Sequence, residues 1–571
     1  MKKFLSLGLS LLLTSAIAAC SDRAQRTNQN ANSLKLLYWQ APTILNPHLS
    51  TGFKDSEASR ITLEPLASFN NNGELIPFLA AEIPSVANGG VAADGKSVTW
   101  KLKQNVKWSD GQPFTAQDVV FTYNFVTNPE VASVSGGVYE VVSSVEAIDD
   151  YTVKINFKEV NPAWNLVFVG AEGMILPKHI YQNYNGANAR EAPANLQPIG
   201  TGAYRVVEFK PGDTVIYEAN PEFREAEKLG FEKVELKGGG DATSAARAVL
   251  QTSDADFAYN LQVEAKILQE LEAAGKGKVV SNFGALMERL VINHTDPNRA
   301  TEDGERSSVK FPHPFFSDRK VRQALTFAID RKTIAEQLYG VTGQETANFL
   351  VAPQQYASSN TSYEYNPERA AKLLDEAGWK DTNGNGIRDK NGIEMSVVFQ
   401  TSVNPLRQKT QAIIKRDLQD LGFEVELKSI DASVYFSSDP SSEDTVEHFY
   451  TDLQMYTTGN TNPDPGAYMQ FYLCESIPQK SNSWQGDNHA RYCNEAYDNL
   501  WRESTQELDP KKREQLFIEM NDLLVDEVAV IPLVHRANVT AFSNDITGYE
   551  LTPWDMRTWD IMNWQRVKEV E

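Results

Sequence analysis

The chain has 571 residues, which at about 150 residues per domain predicts three to four folding units and excludes a single small domain. Hydrophobic residues make up 41% and aromatic residues 10% of the sequence, a composition that excludes intrinsic disorder. The 76 Asp and Glu residues outnumber the 54 Lys and Arg residues and give a net charge of −22 at pH 7, which argues against nucleic acid as a partner and against electrostatic adsorption to an anionic membrane.

The chain begins with a predicted export signal. Residues 1–19 join a short basic start, with Lys2 and Lys3, to an apolar stretch that ends in small residues, a pattern typical of a secretory signal peptide. The apolar stretch is shorter than the ~20 residues of a transmembrane helix, and no comparable uncharged stretch occurs downstream. We therefore expect an exported protein rather than one that spans the membrane several times.

A cysteine directly follows this segment. Ile17-Ala18-Ala19-Cys20 resembles the bacterial lipobox, and the resemblance implies that Cys20 carries a lipid and becomes the first residue of the mature protein. The alternative is an ordinary cleaved signal beside a chance cysteine. Residues 20–33 are polar and lack apolar periodicity, so we expect a flexible tether. The predicted location is the periplasm or the outer face of the bacterial cytoplasmic membrane, with a lipid anchor holding the folded body.

Strand and helix signals alternate from Leu34 onward without an internal repeat, which predicts a mixed α/β fold. In the first half, period-two alternation predicts strands over 97–103 and 151–157, and a capping pattern opens a helix at Thr115. A hairpin is predicted around the turn Pro211-Gly212-Asp213.

The second half is richer in helical patterns. Three amphipathic helices are predicted, each with a capping residue or a sharp glycine end. The first starts at Asp318 and ends near Gly340, the second starts at Asn366 and stops at Gly378, and the third covers 407–421 and stops at Gly422. A strand over 423–429 follows the third helix directly, as expected of α/β architecture.

The two remaining cysteines are predicted to form a disulfide. Cys474 and Cys493 are an even pair in a chain exported to an oxidising compartment. The alternatives are weaker, because the pair lacks His or Cys partners at zinc-finger spacing and does not form a redox Cys-x-x-Cys motif.

No motif in the sequence predicts catalysis. A nucleophile elbow, a phosphate-binding loop, a dinucleotide fingerprint and a two-His zinc helix are all missing. Isolated histidines such as His179 are typical of structural residues, and with 76 acidic residues carboxylate pairs at glycosidase spacing arise by chance. The sequence therefore predicts no catalytic residue, no cofactor and no metal site.

Residues 381–389 are the sharpest short motif. Their Asp, Asn and Gly residues match five positions of an EF-hand calcium loop, but Gly392 stands where a bidentate Glu is required. Calcium binding and an Asn/Gly/Asp surface turn both remain open, and the sequence favours the turn.

Four blocks, in order along the chain, resemble a known family. They are 94–121 (DGKSVTWKLKQNVKWSDGQPFTAQDVVF), 198–204 (PIGTGAY), 316–331 (FSDRKVRQALTFAIDR) and 462–465 (NPDP). Together they resemble the peptide-binding family 5 of ABC-importer solute-binding proteins, from about Leu34 to about residue 553.

The resemblance implies an α/β, two-lobed fold of the type II periplasmic-binding-protein class, in which two crossing strands join lobes that close over a ligand. Segments 34–60, 195–290 and 536–571 are expected to form lobe I. Residues 61–194 are expected to be an extra domain inserted in it, and 291–535 are expected to form lobe II, with the ligand cleft between the lobes.

The resemblance also assigns a position to the ligand's α-ammonium. In peptide-binding members an Asp shortly before the Asp-Pro pair receives this group, and that position maps here to Thr461, or to Asn460 with a shift of one residue. Neither side chain is charged. Asp464 is the nearest acid that could substitute, although an Asp before Pro is equally typical of a turn.

Other cleft candidates come from the same resemblance. Gln40 to Pro42 matches a segment whose backbone pairs with extended peptides. Thr201 lies between Gly200 and Gly202, a stretch that allows either close approach of a ligand or a tight entry into a strand. Trp484 could stack on a ligand or on its own loop, and His535 is a further candidate.

The predicted function is that of an extracytoplasmic receptor of an ABC importer, not of an enzyme. It would capture a small peptide or related solute as a monomer and deliver it to transmembrane permease subunits and their ATPases. The alternatives keep the fold with a non-peptide solute, such as an opine, a sugar-linked compound or a metal chelate, or make the protein a secreted lipoprotein hydrolase.

Overall fold

A computed structural model describes residues 32–50, 52–437 and 441–567 of the chain. The predicted signal segment 1–19, Cys20 and the tether up to residue 31 lie outside the described residues. Within the described part, no helix is long and apolar enough to cross a bilayer.

The strands, numbered in chain order, are β1 Ser33–Tyr38, β2 Ala67–Phe69, β3 Leu75–Pro77, β4 Ser97–Lys101, β5 Val142–Asp149, β6 Thr152–Phe157, β7 Tyr204–Lys210, β8 Thr214–Ala219, β9 Lys233–Gly238, β10 Phe257–Ala258, β11 Gly277–Ile292, β12 Gly343–Glu345, β13 Asp389–Lys390, β14 Ile393–Glu394, β15 Ser396–Ser402, β16 Glu424–Ile430, β17 Leu453–Thr458, β18 Val530–Ser543, β19 Ile546–Thr547 and β20 Gln565–Arg566.

The α-helices are Phe53–Arg60, Ala116–Val126, Gly136–Tyr139, Lys178–Tyr181, Ala242–Leu250, Ala265–Glu272, Arg319–Ala328, Arg331–Ile334, Pro367–Glu376, Pro405–Asp420, Ala432–Tyr435, Gly466–Gln470, Glu495–Ser504 and Pro510–Asp526. Most begin at side chains that cap the free backbone N–H groups of the first turn, and these include Thr115, Asp318, Asn366 and Asn404.

One large sheet runs through the molecule in the order β16-β15-β17-β11-β18-β10-β1-β9-β8-β7, with β12 added to β18. Its two central strands are long. The first half of β11 pairs with the end of β18, and its second half pairs with both β17 and the start of β18. The register shifts between Phe283 and Met287, so β11 and β18 cross from one half of the sheet to the other at an irregular point.

Separate hydrophobic cores lie on the two sides of this crossing. We name lobe I the part whose cores contain Leu36, Tyr217 and Val539, and lobe II the part whose cores contain Phe399 and Phe517. A further core, which we name the inserted unit, is built mainly from residues between 49 and 194 around the sheet β4-β6-β5.

Most of the elements predicted from the sequence are confirmed. The helix after Thr115 has both hydrogen bonds of a capping box, and the hairpin around Gly212 pairs β7 with β8. The predicted third helix is also confirmed, although it starts two residues earlier, at Pro405.

The predicted single helix from Asp318 to Gly340 is wrong. The helix ends at Ala328, because Ile329 adopts an extended conformation with ψ of 121°. Asp330 then caps a new helix, where it accepts hydrogen bonds from the backbone N–H and the hydroxyl of Thr333. An Asp in a helix interior competes for nearby backbone donors, and here that competition divides the apolar stripe into two short helices.

Candidate functional site

A cavity of about 290 Å³ lies where lobe I, lobe II and the inserted unit meet. Its walls come from segments 47–50, 52–56, 134–138, 166–172, 461–462 and 554–556 and from Phe69. The lining is mainly apolar and aromatic with a few hydroxyl groups, as is typical of small-molecule sites. Of the described residues that line the cavity, Glu172 alone is charged.

The structure brings one of the predicted ammonium-binding positions to this cavity. Thr461 lines it, and its hydroxyl donates a hydrogen bond to Glu172 Oε1 at 3.4 Å. Asn460 is buried behind the wall, where its amide Nδ2 donates to the carbonyl oxygens of Ala352 and Asn462 at 3.2 and 2.9 Å. The Oδ1 atom of Asn460 is buried, and none of the described residues donates a hydrogen bond to it.

Glu172 is presented by a short turn of the inserted unit, Ala171–Gly173. The chain enters this turn through Phe168 and Gly170, whose φ angles are 63° and 65°. A Cβ on Gly173 would lie 2.1 Å from the carbonyl carbon of Phe168, so the loop can close only with glycine there. Burial raises the pKa of Glu172, the hydrogen bond from Thr461 opposes this shift, and the negative charge of Asp487 adds to it.

Asp464 does not reach the cavity. Its carboxylate forms a two-point ion pair with the guanidinium of Arg513, in which Oδ1 accepts from Nη2 at 2.9 Å. The same oxygen accepts a hydrogen bond from the backbone N–H of Gly466. Asp464 therefore forms a turn inside lobe II and has its charge compensated there.

The glycines on either side of Thr201 allow the backbone there to pack closely against the backbone of Thr62. A Cβ on Gly200 would lie 1.9 Å from the carbonyl oxygen of Thr62, and Gly202 donates its backbone N–H to that oxygen at 2.9 Å. Thr201 itself is 1% exposed. Of the two interpretations that the sequence leaves open, the structure favours the tight strand entry.

The segment from Gln40 to Pro42 follows β1, which lies between β10 and β9 in the sheet of lobe I. Gln40 is half-buried and Pro42 is buried, and the carbonyl oxygen of Pro42 accepts a hydrogen bond from Gly212 at 2.8 Å. This carbonyl is already paired within the chain. Neither residue lines the cavity described above.

Trp484 and His535 also make their contacts within the protein. The Trp484 ring lies 4.3 Å from the ring of His448 and 5.8 Å from that of Tyr450. His535 is on the crossing strand β18, and its Nε2 lies 2.7 Å from the carbonyl oxygen of Gly284. Burial lowers the pKa of His535, so the neutral ring donates this hydrogen bond.

The disulfide predicted from the sequence is present. The sulfur atoms of Cys474 and Cys493 are 2.08 Å apart and their Cα atoms 4.6 Å apart. The bond closes a loop that carries Trp484 and Asp487, so one covalent link holds both the packed aromatic ring and an acid that acts on Glu172.

The motif at 381–389 forms a self-contained turn. Both carboxylate oxygens of Asp381 accept backbone hydrogen bonds, from Gly384 at 2.6 Å and from Gly386 at 3.0 Å. The Nδ2 atom of Asn385 donates to Glu394 at 2.8 Å. Among the described residues, no group of three or more His, Cys, Asp or Glu side chains is arranged to hold a metal ion.

The sequence reasoning missed Glu172 altogether. Its position between Gly170 and Gly173 is the only local signal, and a Gly-rich turn with one acid is common in a chain with 76 acidic residues. The contact with Thr461 joins residues separated by 289 positions, so no spacing rule could have found it.

Known proteins with similar sequences and structures are solute-binding proteins. The oligopeptide-binding protein AppA of Bacillus subtilis is 29% identical over 521 residues, which cover 90% of this chain and 88% of that protein. The structure of AppA in complex with a nonapeptide superposes with a TM-score of 0.75 at 26% identity, covering 94% of this chain and 99% of that one. NikZ of Campylobacter jejuni, solved with Ni(L-His), has a TM-score of 0.78 at 23% identity over 94% of this chain and all of that one, which shows the shared fold.

These structures confirm the predicted two-lobed α/β fold. The sequence profile of the bacterial extracellular solute-binding proteins, family 5, matches residues 74–479. This match spans more than half of the chain and includes the Glu172 turn, Thr461 and the start of the disulfide loop. The chain belongs to the bacterial extracellular solute-binding proteins of family 5.

Proposed function

We propose that this protein captures a peptide or peptide-like solute outside the cytoplasm and delivers it to the transmembrane permease of an ABC importer. The observation that carries the proposal is the cavity bordered by both lobes and the inserted unit, in which Glu172 is the one charged group among the described lining residues. Support comes from AppA of Bacillus subtilis, which is named an oligopeptide-binding protein and is matched along most of its length.

Capture follows from closure of the lobes about the crossing strands. Two polar contacts already join lobe I to lobe II beside these strands, between Asn404 and Gln262 and between Lys409 and Glu264. A ligand in the cavity touches parts of both lobes, so it binds the closed state better than the open state and shifts the equilibrium towards closure.

The proposal includes the domain division expected from the sequence. Lobe I comprises 34–60, 195–290 and 536–571, the inserted unit 61–194, and lobe II 291–535. The grouping of the hydrophobic cores supports this division, because strands β1, β9 and β18 contribute to lobe I from distant parts of the chain.

Cys20 is the lipidation site, and the mature protein is a monomeric receptor without enzymatic activity that works with permease subunits and ATPases.

The test is mass spectrometry of the compounds that the mature protein retains after native purification, because bound ligand stabilises the closed state by mass action. We expect a set of mixed short peptides. Recovery of one non-peptide compound, such as an opine, a sugar-linked compound or a metal chelate, would show that the fold serves another solute class. Turnover of a peptide or glycoside by the purified protein would favour the hydrolase alternative.

A further inference from the structure

Glu172 is the one charged residue among the described residues that line the cavity. Its carboxylate lines the cavity, and within the described residues no Lys or Arg forms an ion pair with it. Its side chain accepts a hydrogen bond from the neutral hydroxyl of Thr461. Glu172 is half-buried, and a ligand that covers it would remove its carboxylate from water, which is costly unless the ligand supplies a counter-charge.

Within the described residues, two further oxygen atoms lack hydrogen-bond partners, one in the wall of the cavity and one buried behind it. Ser50 lines the same cavity, is only 8% exposed, and its hydroxyl has no hydrogen-bond partner. Asn460 precedes Thr461 and leaves its Oδ1 buried and unpaired. Because its Nδ2 already donates to two carbonyl oxygens, the free atom of Asn460 is an acceptor. The described lining of the cavity thus offers the carboxylate of Glu172 and the hydroxyl oxygens of Thr461 and Ser50, and it contains no positively charged hydrogen-bond donor.

We propose that Glu172 is the residue that receives a primary ammonium group of the ligand, assisted by the hydroxyls of Thr461 and Ser50. This inference rests on the proposed function and names the group that the site recognises. An ammonium has three N–H donors and one positive charge, which matches the carboxylate and the oxygen acceptors around it. The α-ammonium of a peptide and the ε-ammonium of a lysine side chain share this chemistry.

The surroundings strengthen the attraction. The apolar walls, including Phe69 and Trp554, exclude water and lower the local dielectric constant. Asp487, on the disulfide-closed loop, adds a second negative charge that acts on Glu172. The ligand's ammonium would then bridge the inserted unit, through Glu172, and lobe II, through Thr461, so that recognition and closure depend on the same contact.

The test compares three pools of pentapeptides offered to the mature protein after bound ligand has been removed. The first pool contains Ala, Ser, Val, Leu and Phe and has free N-termini, the second is the same pool acetylated, and the third is acetylated and carries one Lys. Bound peptide per protein is measured by mass spectrometry. The variants are Glu172→Gln, the double variant Glu172→Gln with Thr461→Asp, and Glu191→Gln as an exposed control in the same unit.

We expect the wild type and Glu191→Gln to retain the first or the third pool at least tenfold better than the second, and Glu172→Gln to lose this preference. Thr461→Asp places a carboxylate within reach of the same position, so the double variant should regain it, which a purely structural role of Glu172 would not allow. Retention of the first pool rather than the third assigns the group as the α-ammonium, and the reverse assigns it as the side-chain ammonium.

Two results would overturn the inference in different ways. Equal retention of all three pools by the wild type, or an unchanged preference in Glu172→Gln, would show that peptides bind without recognition of an ammonium by Glu172. Retention of none of the pools by the wild type would instead contradict the proposed function and the inference together. The comparison of pools in the wild type needs no variant, so a folding defect in Glu172→Gln does not remove the test.

Discussion

Lys409 Nζ lies 2.5 Å from Glu264 Oε1, and this ion pair joins the helix Pro405–Asp420 of lobe II to the start of the helix Ala265–Glu272 of lobe I. Under the closure proposed above, we expect this pair to hold while the lobes are together and to break when they separate. Its partners are 53% and 23% exposed, so water and salt screen much of the attraction.

We expect Lys409→Glu to open the ligand-free protein, because two like charges then face each other across the cleft. The effect on the closure equilibrium is small, about 1 kcal/mol or less for an exposed pair. Small-angle scattering should show a larger radius of gyration at low salt and a smaller difference at high salt. The double variant Lys409→Glu with Glu264→Lys should restore the wild-type radius, and a radius unchanged by the single substitution would argue against this contact as part of closure.

A second ion pair lies in the protein interior. We expect its loss to cost more stability than the loss of the exposed pair between Lys409 and Glu264. Glu288 of β11 accepts a hydrogen bond from Arg407 Nε at 3.0 Å, and the two side chains are 1% and 7% exposed. Buried Arg536 interacts with the same carboxylate. We expect Glu288→Gln to lower the free energy of unfolding by about 3 kcal/mol, because it leaves buried guanidinium groups without a counter-charge.

Chemical denaturation with urea would measure this change. Glu364→Gln is the matched control, since Glu364 pairs with Arg369 at the surface, where both side chains are about half exposed, and it should cost less than about 1 kcal/mol. Equal losses for the two variants would show that the Glu288 pair is not more important than a surface pair.

Gly200 gives a test of backbone packing. We expect Gly200→Ala to destabilise the protein by about 3 kcal/mol or to prevent folding, because its Cβ would overlap the carbonyl oxygen of Thr62, which backbone shifts must relieve. Gly137→Ala is the control. Gly137 lies in a short helix with no atom within 4 Å of the added Cβ, so alanine should be neutral or slightly stabilising. Thermal unfolding of both variants measures the two changes in stability. A loss at position 200 no larger than that at position 137 would mean that the backbone around Gly200 shifts without cost to make room for the Cβ.

Asp560 should make stability depend on pH. Burial raises its pKa to about 7, and its oxygens accept hydrogen bonds from the indole of Trp564 and the backbone of Glu550. Between the ordinary pKa of an Asp and about 7, the folded state therefore holds a proton that the unfolded chain has released. Stability contributed by this group is present at low pH and is lost as the pH rises towards 7.

The measurement is the free energy of unfolding between pH 4.5 and 8 for the wild type and Asp560→Asn. We expect a shallower decline with pH in the variant, because the amide does not titrate, whatever its absolute stability. Parallel curves for the two proteins would show that Asp560 is already ionised in the folded state and would contradict the assignment.

Local sequence determined much of the fold. Thr115 caps its helix and Asn366-Pro367 opens another, as the sequence predicts, because capping and the fixed φ of proline act within one turn of chain. The same locality explains the error at Asp330, where two local signals conflict: the apolar stripe favours one long helix, and the Asp side chain starts a new one. The family blocks and the cysteine pair were likewise visible in the sequence.

The tertiary structure alone decided which groups meet at the cavity. Asp464, the nearest acid in the sequence, is held by Arg513, which lies 49 residues away, whereas Thr461 meets Glu172 across 289 residues. The reason is that β11 and β18 lead the chain back and forth between the lobes, so residues far apart in sequence line one cavity. The sequence specifies the chemistry of each side chain, but only the packing of the three units decides that the carboxylate of Asp464 is paired with Arg513 and that Glu172 lines the cavity.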